Sequence, residues 1–321
     1  MTALLTEKYR PSKREEIVGN KNEIDRLFTM SQSGALTHCI LEGPPGTGKT
    51  TCAIVLAKKL FGEFFRSNFL ELNASDTRKI DDVRGPIKTF IKTAPFNANF
   101  KILLLDEGED MSDEAQNALR RLMEKHSDIT LIIFAVNTSE KIIDAIKSRC
   151  EIFHFAPLSN DDITERLIHV YLSEKSPSYP GGEPRVLDKA LTEPLYKIAE
   201  FAQGDMRKAL NHLQVLLASG EPLTAGTVET IRPVDYGKMI FDSLQKGRFF
   251  EARQNLYKAW ELGYAPRYIL TLIHNIYIQE DIDVLQKRDA IFALAECDYR
   301  LVLGVDKILA FDKLLLELLK K

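Results

Sequence analysis

Gly43-Pro44-Pro45-Gly46-Thr47-Gly48-Lys49-Thr50 fits the pattern G-x-x-x-x-G-K-[ST] at every fixed position. The apolar run His38-Cys39-Ile40-Leu41 before it reads as a short strand, and Thr51 to Leu60 after it read as a helix. Strand, glycine loop and helix are the setting a phosphate-binding loop needs. Its backbone N–H groups can close around phosphate oxygens, and the helix N-terminus adds a positive dipole end. Lys49 supplies a mobile charge to the outer phosphates, and the Thr50 hydroxyl is placed to ligate magnesium. The bland alternative is a glycine-rich turn before an ordinary helix, but the flanks favour a nucleotide, expected as ATP with Mg2+. Residues 43–50 and Thr51 form its expected cradle.

Working outward, 321 residues exceed one ordinary core and predict two or three domains. Hydrophobic residues at 45% and charged residues at 28% describe a soluble globular chain. No apolar run is long enough to span a bilayer, and the opening residues lack the blocks of a signal peptide. The cysteines Cys39, Cys52, Cys150 and Cys297 are scattered, without a Cys-x-x-Cys pair, which argues against structural zinc and for a reducing, intracellular setting. A net charge of −3 excludes a surface coated in positive charge but not a local basic face.

Residues 1–157 alternate strands and helices. Phe69 to Asn73, Lys101 to Asp106, Thr130 to Val136 and Ile152 to Phe155 read as strands. Their continuous apolar runs suit a parallel sheet buried on both faces, hence an α/β three-layer domain. Glu114 to Glu124 reads as one of the intervening helices. After Pro157 the strand signal stops. Asp161 to Leu172, capped by Ser159 or Asn160, Leu195 to Ala202 and Asp205 to Ala218 read as helices, so residues 158–225 form a small helical domain. Ser176 to Pro184 is a proline- and glycine-rich loop. Residues 226–321 read as a third, all-helical domain. Gly108 predicts a looser turn after the third strand, because glycine lacks alanine's helix propensity.

Leu103-Leu104-Leu105-Asp106-Glu107 delivers two carboxylates to the sheet edge beside the glycine loop. Asp106 is expected to hold magnesium, and Glu107 to orient and deprotonate an attacking water. Asn137 ends the next apolar strand, where its amide can bond the water or the terminal phosphate; a simple turn role is the alternative. Arg149, in Ser148-Arg149-Cys150, can brace phosphates held by a neighbouring subunit or make a surface ion pair, and spacing leaves both open. Arg207, in the first turn of a helix opened by Gly204-Asp205-Met206, either closes on the same nucleotide or lies on a solvated face.

In their order these motifs closely resemble a family: the chain resembles a small subunit of the sliding-clamp loader replication factor C, within the AAA+ ATPases. Glu7-Lys8-Tyr9-Arg10-Pro11 matches the opening box, followed by Val18-Gly19-Asn20, the phosphate loop, Leu72-Asn73-Ala74-Ser75-Asp76 and Val83-Arg84. Leu105-Asp106-Glu107, Ala118 to Glu124, Ser148-Arg149-Cys150 and Gly204 to Arg207 complete a set covering about the first two thirds of the chain. The resemblance implies an ATPase domain, a helical lid and a helical collar joining five subunits. It implies that Tyr9, Arg10, Pro11 and Val18 lie near the adenine, that Arg149 acts in trans, and that Asn137 and Arg207 are sensors. Implied partners are the other small and large subunits, the clamp and primer-template DNA, in cytoplasm or nucleus, without a membrane. Asp106-Glu107-Gly108-Glu109 departs from the usual Asp-Glu-Ala-Asp, Lys79 stands where the family has glycine, and the loop at 176–184 is longer than usual.

Ile80, Val83, Ile87 and Ile91 form an apolar stripe, and Arg84, Lys88 and Lys92 a basic one. A solvated charged face is the plain reading; the resemblance implies DNA-backbone contacts by Arg78, Lys79, Arg84 and Lys88. Two other functions fit the phosphate loop: a different AAA+ motor, for branch migration or protein remodelling, and an ATP-binding structural subunit without turnover. Ser148-Arg149-Cys150 speaks against the first, Glu107 and Lys49 against the second.

Overall fold

A computed structural model describes residues 4–74, 85, 87–175, 189–230 and 234–319. The chain divides into two compact units, Met1–Arg232 and Pro233–Lys321. In the first, strands β1 (His38–Glu42), β2 (Phe69–Asn73), β3 (Lys101–Asp106), β4 (Thr130–Val136) and β5 (Cys150–His154) form one sheet in the order β2-β3-β4-β1-β5. Every pairing is parallel.

Side chains alternate across a strand, so the continuous apolar runs feed two cores. Cys39 and Leu41, Ile102 and Leu104, and Ile133 and Ala135 pack on one face with the helices Lys21–Gln32 and Lys49–Phe61. Ile40, Leu103, Leu105, Ile132 and Phe134 pack on the other with the helix Asp113–His126. The expected three-layer architecture is present. The last strand begins at Cys150 rather than Ile152; Phe155 N–H continues its ladder by donating to Glu42 O at 2.7 Å.

Beyond the sheet, Leu158, Ile163, Leu167, Leu195, Leu210, Leu213 and Val228 share a separate helical core with Leu5 from the chain's start. Ser159 Oγ accepts from Asp162 N–H at 3.1 Å, capping the helix Asn160–Lys175. The helix Lys189–Ala202 starts earlier than the expected Leu195 and takes Pro194 into its interior, at the loss of one backbone hydrogen bond. The expected start of a third domain at residue 226 falls inside the helix Ala225–Thr230, whose Val228 is buried in this core, so the compact units part later, at Pro233. Asn20, in a left-handed conformation (φ 47°), donates through Nδ2 to Ala156 O at 3.0 Å and accepts from Ala156 N–H at 2.9 Å. Its side chain thus acts as a short strand partner and fixes the connection that leads from β5 to the helical core.

The second unit is helical throughout its described residues: Tyr236–Gln245, Phe249–Glu261, Pro266–Gln279, Val284–Val302 and Lys307–Leu318. Phe241, Leu256, Ile273, Leu294, Phe311 and Leu315 form its core. Leu309 and Leu316 of the last helix stay exposed, so that helix is not buried all round.

Two buried basic side chains, one charged and one neutral, organise the amino edge of the sheet. Lys101, fully buried at the start of β3, donates to Phe90 O and, at 2.8 Å, to Thr93 Oγ1, which fastens the end of the helix Lys88–Lys92. His38 Nδ1 accepts the Ile132 N–H at 3.0 Å, which requires the neutral ring, and burial pushes its pKa down to about 4. Between the ordinary histidine value near 6.5 and about 4, the unfolded chain takes up a proton that the fold refuses. Stability therefore falls as pH drops through that window, by up to about 3 kcal/mol from this one group. His38→Gln keeps an acceptor and cannot titrate. Urea midpoints from pH 7 to 5 should decline less in the variant; equal declines would rule His38 out as the source.

Candidate active site

The carboxyl ends of the parallel strands meet on one edge, and the sequence motifs gather there. Between β1 and the helix Lys49–Phe61 the chain turns through Gly43 to Gly48. Gly46 (φ 74°) carries a steric requirement: a Cβ there would stand 1.8 Å from Asp205 Oδ1. At Gly43 it would stand 2.0 Å from Phe155 O. Only glycine lets these backbones approach. Thr47 Oγ1 donates to Pro44 O at 2.9 Å, which braces the loop. Lys49 Nζ donates to Gly43 O (2.6 Å) and Pro44 O (2.8 Å). Burial lowers its pKa, and the charges of Asp106 and Glu109 act against that shift.

Thr50 Oγ1 lies 3.0 Å from both carboxylate oxygens of Asp106. A hydroxyl and a carboxylate brought together beside a phosphate loop are hard oxygen donors, a set that fits Mg2+. Glu107 is exposed and left-handed (φ 54°), a costly backbone for a non-glycine residue that is typical of active sites. The following turn, Gly108–Asp110, is not the loose one expected. Gly108 is buried, and a Cβ there would press on Phe134 Cδ1 at 3.1 Å, so the turn lies close against β4. Asn137 N–H and Nδ2 both donate to Glu109 Oε1, at 2.9 and 2.8 Å.

One cavity is lined by Tyr9, Arg10, Pro11, Val18, the loop from Pro45 to Thr51, Asp106, Glu107, Asn137 and Arg207. Gly43 and Pro44 stand behind it as acceptors for Lys49. Arg207 enters from the helix Met206–Ser219, whose first N–H groups are capped by Asp205, while Met206 N–H donates to Gly46 O at 3.1 Å. Residues distant in sequence thus sit directly on the phosphate loop. Tyr9 is held by Arg166, which donates to Tyr9 O at 2.6 Å, and by Glu174, which accepts from Tyr9 OH at 2.7 Å. Sequence reasoning gave Asp205 no role, and it missed Arg166, Ile17, Leu158 and Leu210, which also line the cavity. Arg166 lies among the apolar positions Ile163 and Leu167 of its helix, and no local pattern marks it.

Two expected groups are not brought to this cavity. Arg149 precedes β5, and Cys150 pairs with His38 at the start of β1, so the arginine lies at the opposite edge of the sheet from the phosphate loop. The separation is roughly 13 Å of strand. Its guanidinium donates to Glu124 Oε1 and Ala145 O, both at 2.6 Å. Lys88 is exposed on the helix Lys88–Lys92, whose Ile91 is buried, as an amphipathic helix requires. Arg78, Lys79 and Arg84, and the loop at 176–184, lie outside the described residues.

The chain resembles known sequences and structures. Residues 39–158 match the family model "ATPase family associated with various cellular activities (AAA)", and residues 233–317 match "Replication factor C C-terminal domain". The replication factor C small subunit of Methanococcus maripaludis is 39% identical, over 97% of each chain. That of Methanothermobacter thermautotrophicus is 38% identical, over 98% of this chain and 97% of its own. The chain belongs to the replication factor C small-subunit family. It is thereby an AAA ATPase of the clamp-loader class, with a part in DNA replication. Among solved structures, the Thermotoga maritima RuvB Holliday junction branch migration motor matches with a TM-score of 0.51 at 17% identity, covering 93% of this chain and 86% of its own. At that identity the likeness concerns the fold alone. Among the described residues no helix is long and apolar enough to cross a membrane.

The contact between Gly46 and Asp205 makes a sharp prediction. Gly46→Ala must displace Asp205, and with it the cap that presents Arg207. Affinity for a fluorescent ATP analogue should fall about tenfold or more, with a lower melting temperature. Wild-type affinity in a folded variant would show that the contact is dispensable.

Proposed function

We propose that this replication factor C small subunit hydrolyses ATP at a seam between adjoining subunits of a pentameric clamp loader, and that the resulting change in assembly geometry places a sliding clamp on primer-template DNA. The observation that carries the reading is the placement of Lys49 and Arg149 on opposite edges of one parallel sheet. An arginine so placed cannot serve its own phosphate loop, but it can serve an adjacent copy's. In this reading residues 1–157 are the motor, the helices that follow are a lid carrying Arg207, and Pro233–Lys321 is the collar that joins the other small and large subunits.

ATP binds with its phosphates on residues 43–51 and its base near Tyr9, Arg10, Pro11 and Val18. Thr50 and Asp106 hold Mg2+, which when bound neutralises charge on the outer phosphates. A water held by Asn137 attacks the terminal phosphorus as Glu107 takes its proton. A new P–O bond forms, the bond to the bridging oxygen breaks, and ADP leaves with the electron pair. Lys49, Arg207 and Arg149 of the adjoining subunit brace the charge of the transferring group. Arg149 must first leave Glu124, so assembly and hydrolysis are linked through one side chain. The setting is intracellular, where ATP and DNA are present.

Two measurements test this reading on the reconstituted loader, with clamp and primed DNA. Glu107→Gln should lower steady-state ATP hydrolysis about a hundredfold while labelled ATP still binds. Arg149→Ala should lower it by a factor on the order of 10³. Unchanged turnover in Glu107→Gln would make the chain a scaffold, and a planar hexamer by mass would point to a different motor. Separately, Lys88→Ala should weaken binding of the loader to primed DNA and reduce the slope of log affinity against log salt by about one. An unaltered slope would remove Lys88 from the DNA-facing surface.

A further inference from the structure

Glu109 has no place in the chemistry above, yet it is buried and its carboxylate is committed to one neighbour. Oε1 accepts both the backbone N–H and the Nδ2 of Asn137, at 2.9 and 2.8 Å. Oε2 is also buried and has no hydrogen-bond partner among the described residues. A half-satisfied buried carboxylate costs stability. Such a group calls for an explanation. Glu109 does not line the nucleotide cavity, whereas Asn137 does. Its hydrogen bonds reach the cavity through Asn137, and its charge also acts on Lys49.

We propose that Glu109 is a positioning residue for the hydrolytic water, acting by fixing which face of the Asn137 amide meets the cavity. An ionised carboxylate only accepts hydrogen bonds, so it selects the N–H side of the amide and turns the Oδ1 side away from itself. Without it the amide can flip, and acceptor and donor exchange places at the water. The shared bond to the Asn137 backbone also anchors the loop just past β4. Gly108 brings the turn close against Phe134, which sets the reach of Glu109. An aspartate in place of Glu109 would end one methylene short of both donors.

The proposal rests on the reading that Asn137 holds the water, so the experiment measures that separately. Asn137→Ala, Glu109→Ala, Glu109→Gln and the double alanine variant are assembled into the full loader. Single-turnover ATP hydrolysis, affinity for labelled ATP and melting temperature are measured for each. Asn137→Ala should slow hydrolysis about tenfold or more with affinity nearly unchanged, and Glu109→Ala should do the same. The double variant should be no slower than either single one, because both remove the same interaction. Glu109→Gln should recover most of the rate, since its amide oxygen can accept both bonds, whereas a role for the charge alone would leave it as slow as Glu109→Ala. Multiplying losses in the double variant, an unaltered rate in Glu109→Ala, or failure of Glu109→Gln to recover would each overturn the proposal. A wild-type rate in Asn137→Ala would instead remove the reading of Asn137 on which it stands.

Discussion

Parallel strand pairing is the constraint from which the site follows. When all strands of a sheet run the same way, their carboxyl ends share one edge, and whatever each strand delivers there is delivered to the same place. β1 ends at the phosphate loop, β3 at Asp106 and Glu107, and β4 at Asn137. The register sets Asp106 opposite Ala135 and Glu42 opposite Val136, so these groups arrive at nearly the same height. The same rule sends the segment before β5 to the far edge, and Arg149 with it. One geometric fact thus accounts both for the residues that meet within the chain and for the arginine that stands apart from them.

A second layer of contacts turns this edge into an enclosed site. The helical core closes over the loop through the Met206 and Asp205 contacts with Gly46, and Arg166 and Glu174 hold Tyr9 beside it. Costly features occur at this site too: Glu107 is left-handed, Lys49 is a buried cation, and Glu109 carries a buried oxygen without a hydrogen-bond partner among the described residues. Proteins keep such costs where surrounding packing holds them and function needs them.

Much of this was legible in the chain. The continuous apolar runs at 101–106 and 130–136 identify buried parallel strands because only strands covered on both faces can dispense with alternation. The glycine loop and the Asp106-Glu107 pair are read from spacing, since phosphate binding fixes residue types over a short stretch. The edges of elements were less legible. β5 begins two residues early because its pairing with β1 extends to His38, and the helix at Lys189 accommodates Pro194 because tertiary contacts outweigh one lost hydrogen bond. The boundary at Pro233 depends on Val228 being buried in the helical core, and a single valine gives no sign of which core it joins.

The chain alone therefore determined the nucleotide loop, its carboxylates, the three-layer class and the family, because each depends on residues close together in sequence. Only the tertiary structure decided that Asp205 bears on Gly46, that Arg166 braces Tyr9, that Glu124 holds Arg149, and that Glu109 reaches Asn137. Those pairs lie between 25 and 159 positions apart. No local pattern encodes such a meeting; it is fixed by strand order and by how closely the packed backbones approach.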